Sequence, residues 1–140
     1  MSERMTDNFP PQPSPSLDSL PFWESLKKGV LAIQRCTACK QWSFPMMERC
    51  RHCAGELTME ALSGDGTIYT YIVEHQKVAP GFDDLRPYPI ALVTPKEAPH
   101  VRLPARIIGD KSIIKIGAAV RAEIADLPAG DFKVACFRLV

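Results

Sequence analysis

The first regular pattern of apolar positions lies near residue 20. Leu20, Trp23 and Leu26 recur at spacings of three, which places them along one side of an α-helix. Ser19 is a residue type that caps helix N-termini, and Gly29 is one that ends helices. The pattern predicts a helix of two or three turns between these residues. Because so short a helix is marginal in isolation, we expect it to dock on the same domain or on another subunit.

After the helix, the pattern changes to short runs rich in β-branched and aromatic residues. Two such runs, 30–35 and 57–62, flank a polar segment that contains cysteines, and Gly64-Asp65-Gly66 is a strong turn signal. Five short strands in about 75 residues favour a closed barrel of the OB-fold type over an immunoglobulin-like sandwich, which usually has seven. The sequence therefore predicts a mainly β protein with an OB-fold barrel over residues 63–140. The predicted barrel strands are residues 67–75, 89–94, 101–108, 119–124 and 132–140.

The N-terminal segment shows neither the apolar spacing of a helix nor the apolar runs of β-strands. Residues 1–16 are polar and contain four prolines, Pro10, Pro11, Pro13 and Pro15. A segment with so few large apolar side chains cannot offset the entropy that it would lose on ordering. We therefore predict a disordered, Pro-rich arm over residues 1–18. It is either a plain leader, which the composition favours, or an arm that wraps a partner.

Chain length limits the number of domains, and net charge limits the classes of partner that the protein binds. The 140 residues suit one compact domain, or one domain plus a small module. Seventeen Lys and Arg against sixteen Asp and Glu leave a net charge of +1. This balance removes the simplest case for a nucleic-acid or anionic-membrane binder, which usually carries a basic surplus. No apolar run approaches the ~18 residues of a membrane span, and residues 1–8 are polar where a signal peptide is apolar. We expect a cytoplasmic protein without a membrane partner.

Four of the five cysteines form two closely spaced pairs. Two residues lie between Cys36 and Cys39 and between Cys50 and Cys53, and ten residues separate the pairs. This spacing lets four thiolates converge on one ion, in a closed tetrahedral site that suits structural zinc and lacks the open position of a catalytic metal. Iron is an alternative metal, and two disulfides are the alternative for a secreted protein. With the short helix, this zinc ribbon forms a predicted unit over residues 19–62.

Candidate catalytic groups outside the cysteine pairs form no recognisable constellation. Cys136 lies in the apolar last strand, which favours a buried structural thiol over a nucleophile. Glu74 and His75 are neighbours on a strand and therefore point to opposite faces. The sequence contains no Gly-rich phosphate loop, no G-x-S-x-G elbow and no dinucleotide-binding fingerprint. We assign no catalytic residue and expect that the chain is not an enzyme on its own.

The connection at residues 77–88 is long for a loop between strands. Phe82 lies at its middle without an obvious core pattern. Long loops on barrels are often functional. The sequence equally favours a second interpretation, in which this loop is a hydrophobic lid that folds back on its own barrel.

A second function class is a zinc-ribbon OB-fold module that binds single-stranded nucleic acid. OB-folds of this class use aromatic platforms and a basic groove. Tyr69 and Tyr71 share one predicted strand, but residues 89–94 and 101–108 contain no aromatic side chain. The sequence therefore disfavours a nucleic-acid partner and keeps this function as the alternative.

The order of features along the chain resembles one family. It consists of a short helix with Phe22-Trp23, the two cysteine pairs, GDGTIYTY at 64–71 and a PGF loop at 80–82, with further matches at 88–93 (YPIALV) and 116–120 (IGAAV). From about residue 20 to residue 140 the chain resembles OB-fold proteins with a rubredoxin-like zinc ribbon. These were long catalogued as a domain of unknown function associated with acyl-CoA metabolism.

The resemblance implies a function in an enzyme complex. Members are typically non-catalytic partners of thiolase-fold enzymes, including sterol-carrier-type thiolases, acyltransferases and the retro-aldolases that shorten steroid side chains. This chain would then be an accessory subunit of a hetero-oligomer, a thiolase, acyltransferase or aldolase (lyase) complex of lipid metabolism. It would support carbon–carbon bond cleavage or formation on acyl-CoA thioesters and help to form the CoA/substrate passage. Steroid side-chain degradation is one such pathway.

The resemblance also implies residue roles. The four paired cysteines would hold the zinc, and the loop with Pro80, Gly81 and Phe82, followed by Tyr88, would face the partner's substrate entrance. If acyl-CoA is a ligand shared with the partner, its phosphates need cations. The loop and strand candidates are Lys77, Arg86, Lys96 and Arg102. Lys40 and Ala54 depart from the family, because glycine is frequent after each cysteine pair, and Met46-Met47 replace a common Pro-Arg step.

Overall fold

The computed structural model describes residues 9–76, 80–82 and 85–140. This part contains one α-helix, eight β-strands and a single 3-10 turn at Lys111–Ile113. The elements are α1 Leu20–Lys27, β1 Ala32–Cys36, β2 Trp42–Ser43, β3 Leu57–Ala61, β4 Asp65–Glu74, β5 Tyr88–Pro95, β6 Leu103–Ile108, β7 Ala119–Asp126 and β8 Lys133–Leu139. The prediction of a mainly β fold with one N-terminal helix is confirmed.

Helix α1 docks on the same chain. Its side chain Leu26 is 1% exposed, and Trp23 meets Phe132 edge to face with ring centroids 5.8 Å apart. Ser19 stands at the predicted N-cap position, but its hydroxyl does not cap the helix. The Ser19 Oγ instead accepts from the backbone N–H of Ser16 (3.0 Å), while the Ser19 carbonyl accepts from the N–H of Phe22 (3.1 Å). No helix among the described residues is long and apolar enough to cross a membrane.

The strands form two sheets. The first is a three-stranded antiparallel sheet in the order β2-β1-β3, in which the ribbon strand β1 is central. The second is a closed barrel in the order β4-β5-β6-β8-β7, with β6 and β8 parallel and the other pairs antiparallel. Five strands closed in this way give the OB-fold architecture that the sequence predicts.

The ribbon and the barrel share one hydrophobic core. Ile33 of β1 is fully buried, and Leu31 and Leu62 at the base of the ribbon belong to the same cluster as barrel residues such as Val93 and Phe137. The ribbon has too few apolar residues for a core of its own, so its base is held by packing against the barrel.

The later half of the predicted Pro-rich arm contacts the barrel. Pro10 is buried, and Gln12 Nε2 donates to the carbonyl of Pro128 at 2.9 Å. Gly81 has φ 86°, and a Cβ at that position would lie 2.4 Å from the nitrogen of Pro10. Only glycine therefore fits beneath this part of the arm. Residues 1–8 of the predicted arm lie outside the described residues.

Candidate metal centre and loop cavity

The four paired cysteines converge at the tip of the ribbon. Strand β1 ends at Cys36, and two turns bring Cys39, Cys50 and Cys53 to the same point, with all four sulfurs within 4.8 Å of one another. The Sγ atoms of Cys36 and Cys53 are 3.5 Å apart, and those of Cys39 and Cys50 are 3.6 Å apart. A tetrahedral ion with Zn–S bonds of ~2.3 Å holds its sulfurs about 3.8 Å apart, so this donor set fits zinc closely. These distances are well above the ~2.05 Å of an S–S bond, so the arrangement fits a metal site and not two disulfides.

The two turns have matching backbone geometry. The N–H of Lys40 donates to the Cys36 carbonyl (3.1 Å), and the N–H of Ala54 donates to the Cys50 carbonyl (2.8 Å). Lys40 and Ala54 have φ of 68° and 61°, in the left-handed region that favours glycine. These are the two positions where the sequence departs from the family's frequent glycine, so the departures add backbone strain and leave the sulfur positions intact.

Gly55 lets the backbone pass close to the sulfurs. A Cβ at this position would lie 2.9 Å from the Sγ of Cys36 and 3.1 Å from that of Cys53. A side chain here would push the sulfurs apart, so the tight cluster depends on this glycine.

Backbone hydrogen bonds, burial and the neighbouring sulfurs shift the pKa values of two thiols in opposite directions. The backbone N–H of Cys39 donates toward the Cys36 sulfur (3.4 Å), and this bond is the main reason why the pKa of Cys36 falls to about 6. The N–H of Gln41 lowers the pKa of Cys39, but desolvation and the sulfurs of Cys50 and Cys36 outweigh it and raise that pKa to about 12. One thiolate forms readily while its neighbour resists ionisation, and a divalent cation relieves this conflict.

The predicted loop residues gather at one cavity of about 690 Å³. Gly81, Phe82 and Tyr88 line it, and the rings of Phe82 and Tyr88 lie 6.3 Å apart between centroids. Tyr88 is 5% exposed, so its ring forms part of the wall. Pro80 is exposed and lies outside the lining. The structure therefore places three of the four predicted loop residues together.

Two of the predicted CoA-phosphate cations, Arg86 and Lys96, lie at opposite ends of β5. Arg86 precedes β5 and donates from Nη1 to the carbonyl of His75 (3.3 Å). Lys96 follows the other end of β5, whose eight extended residues span about 25 Å. Arg102 donates to two backbone carbonyls and stacks over Tyr69 with its guanidinium carbon 3.9 Å from the ring centroid. Lys77 lies outside the described residues. The structure does not bring Lys96 and Arg86 into one cluster.

Sequence reasoning did not place Arg106 and Cys136 at this cavity. Arg106 and Cys136 line it together, and Arg106 Nη2 lies 3.6 Å from the Cys136 sulfur. The predicted strand 101–108 carries two cations, Arg102 and Arg106, and the sequence could not show that the Arg106 side chain lies at the cavity.

Fold and site together define a small OB-fold protein with a zinc ribbon. Two family models match the chain, one described as the ChsH2 rubredoxin-like zinc ribbon domain over residues 23–60 and one as the ChsH2 C-terminal OB-fold domain over residues 59–125. A DUF35 domain-containing scaffold protein from Methanocaldococcus jannaschii is 35% identical over 105 residues, which are 71% of this chain and 72% of that protein. The chain belongs to the DUF35 family, and the resemblance seen in the sequence is confirmed.

A solved structure extends the match. A chain of the Ltp2-ChsH2(DUF35) aldolase is 31% identical and has a TM-score of 0.82, with 91% of this chain and 98% of that chain covered. The likeness therefore extends over nearly the whole length of both chains.

Two further curated relatives are longer proteins. A probable enoyl-CoA hydratase alpha subunit from Thermomonospora curvata is 38% identical over 115 residues, which are 79% of this chain and 34% of that protein. The 3-oxo-4,17-pregnadiene-20-carboxyl-CoA hydratase alpha subunit from Mycobacterium tuberculosis is 31% identical over 118 residues, 84% of this chain and 37% of that protein. This chain spans about a third of the length of these two relatives.

Proposed function

We propose that this chain is a non-catalytic accessory subunit that docks on a thiolase-fold enzyme acting on acyl-CoA thioesters. The observation that carries the proposal is the structural likeness to a chain of the Ltp2-ChsH2(DUF35) aldolase, because it covers 98% of that chain. The name of the Mycobacterium tuberculosis relative, a steroid-CoA hydratase subunit, supports the same substrate class. The partner would supply nucleophile and base for carbon–carbon bond cleavage or formation, with steroid side-chain aldol cleavage as one such reaction.

In this proposal the zinc is structural. Cys36, Cys39, Cys50 and Cys53 would hold the ion, and four sulfur ligands leave no position for a substrate. What the ion supplies is the free energy that closes the two turns at the ribbon tip. The ribbon tip and the loop cavity have no residue in common, which supports separate roles for metal and loop.

The loop side of the barrel would face the partner. Phe82 lies beside a mainly apolar cavity, and exposed apolar surface of this kind is typical of interaction sites. Pro80, Gly81, Phe82 and Tyr88 would line the substrate passage that the two subunits share. Arg86, and by its place in the sequence Lys77, would be candidate cations for CoA phosphates.

A native pull-down tests the docking. The tagged, zinc-loaded chain is purified from its own organism, and the proteins that co-purify are weighed and identified. A stoichiometric thiolase-fold protein is the expected result. A zinc-loaded chain without such a partner would overturn the proposal and bring forward the alternative, single-strand binding whose affinity falls steeply with salt.

Replacement of Phe82 tests the loop. We expect Phe82→Ala to lower turnover of the reconstituted complex at least several-fold, while zinc content and thermal stability stay unchanged. Ile116→Ala is the matched control, since Ile116 is also a large apolar side chain, is 67% exposed and lies outside the cavity lining. Equal turnover of the two variants would refute the role of the loop.

A further inference from the structure

The cavity beside the loop exists because two barrel strands separate. Strands β6 and β8 pair only at Ile107 with Phe137 and at Ile108 with Arg138. Upstream of these pairs the two strands diverge, and the cavity lies in the resulting gap between them. Pro104 lines this open edge of β6, where its missing N–H costs no ladder hydrogen bond.

Arg106 brings a positive charge into this gap, and no described residue provides a negative partner for it. The Arg106 side chain is half-buried. Its Nη2 donates toward the sulfur of Cys136 at a distance of 3.6 Å. Burial raises the pKa of the Cys136 thiol, which therefore stays protonated and uncharged at neutral pH. Asp126 lines the same cavity but already pairs with Lys133.

Within the described residues no carboxylate forms an ion pair with Arg106. A guanidinium offers five N–H donors, and one thiol satisfies few of them. A partly desolvated cation without a counter-charge is unfavourable for stability. An anion that enters the cavity would restore the missing partner.

Apart from Arg106, Cys136 and the Lys133-paired Asp126, the cavity lining is mainly apolar. Side chains of Phe82, Leu85, Ile90, Leu127 and Val134 line it together with the buried Pro10. Its volume of about 690 Å³ falls within the ~300–1,000 Å³ of typical small-molecule sites. Because Asp126 is already paired with Lys133, Arg106 is the charge available to a ligand, and this favours a ligand with one anionic end and a hydrocarbon body.

We propose that this cavity binds an apolar carboxylic acid as its anion. The carboxylate accepts hydrogen bonds from the Arg106 guanidinium, and the hydrocarbon body lies between the barrel gap and Phe82. The inference deepens the proposed function, because it names a ligand class for the cavity behind the partner-facing loop. Binding requires no partner and so is measured on the chain alone.

Titration with decanoate and with 1-decanol tests the proposal. The two probes share a hydrocarbon chain and differ in the anionic head. Their binding to the zinc-loaded 140-residue chain is followed by changes in backbone amide chemical shifts. We expect decanoate to bind and Arg106→Gln to weaken it by about tenfold to a hundredfold, as expected for a hydrogen bond to a charged group. Decanol affinity should change less than twofold.

Arg121→Gln is the matched control. It removes the same charge from an exposed arginine that pairs with Asp65 outside the cavity, and it should leave decanoate binding unchanged. Arg106→Lys keeps the charge without the planar fork and should give an intermediate affinity, which covers the case in which Arg106→Gln does not fold.

Three results would overturn the proposal. They are absence of decanoate binding, equal losses for decanoate and decanol in Arg106→Gln, and unchanged decanoate affinity in both Arg106 variants. The pull-down measures partner docking without reference to this ligand. The ligand site and the accessory function can therefore fail independently.

Discussion

A single shared core predicts that a mutation in the ribbon destabilises the barrel. Ile33 lies on β1 of the ribbon, is 0% exposed and belongs to the cluster that contains Val93 and Phe137 of the barrel. Replacing Ile33 with alanine removes side-chain carbons from the junction of the two parts. The same replacement at Ile72, which is 60% exposed on β4, is the matched control.

The size of the effect follows from burial. Ile33→Ala removes three buried carbons at about 0.8 kcal/mol each, a transfer cost of about 2.4 kcal/mol. The cavity left behind adds to this, so we expect a loss of about 3–4 kcal/mol in the free energy of unfolding, within the range for buried Ile→Ala changes. With a urea m-value of about 2 kcal/mol/M, the unfolding midpoint falls by about 1.5–2 M. For Ile72→Ala we expect a change within about 0.5 kcal/mol.

The assay follows both parts of the molecule in urea. A colorimetric chelator reports zinc release from the ribbon, and amide cross-peaks of barrel residues such as Val93 report the barrel. We expect Ile33→Ala to shift both transitions together. A variant that released zinc at lower urea while the barrel kept its midpoint would show that ribbon and barrel have separate cores, and would refute the reasoning.

Two further predictions concern the metal centre and the surface. Removal of zinc with EDTA should abolish hydrogen-exchange protection of the Lys40 and Ala54 amides, because their bonds close the metal-binding turns, while Val93 stays protected; loss of protection at Val93 would contradict this. Arg138 donates to Glu123 and lowers the pKa of that carboxyl, so the pair stabilises the protein above the unfolded pKa, and this contribution disappears as pH falls through the folded pKa. Melting curves should therefore show Glu123→Gln below the wild type in Tm at pH 7 and equal to it in strongly acidic buffer; a gap that persists in acid would argue against the pair.

Local sequence patterns predicted the elements because the interactions that form them are local. The spacing of Leu20, Trp23 and Leu26 predicted helix α1, and the alternating runs predicted the five barrel strands. The hydroxyl of Ser19 was the exception, since Ser16 competes for it within the same turn. The residue types at Lys40 and Ala54 did not indicate the left-handed conformation that the metal-binding turns require, because neither type favours it; only the glycine frequent in the family at both positions pointed to it.

The metal centre was the part of the candidate site that the sequence could predict, because the spacing of its cysteines determines how they bind an ion. Two residues between paired cysteines place both thiolates at one point, so the metal centre could be predicted before any fold was known. The candidate cations Arg86 and Lys96 looked equivalent in the sequence, but a strand of eight residues separates them in space.

The sequence by itself determined the OB-fold class, the four-cysteine cluster and the family, since each depends on residue type and short-range order. Only the tertiary structure decided that ribbon and barrel share one core, that Pro10 lies against Gly81, and that β6 and β8 separate to place Arg106 in an apolar cavity. These features join residues far apart along the chain. Their positions depend on how strands close and twist in space, which a one-dimensional pattern does not encode.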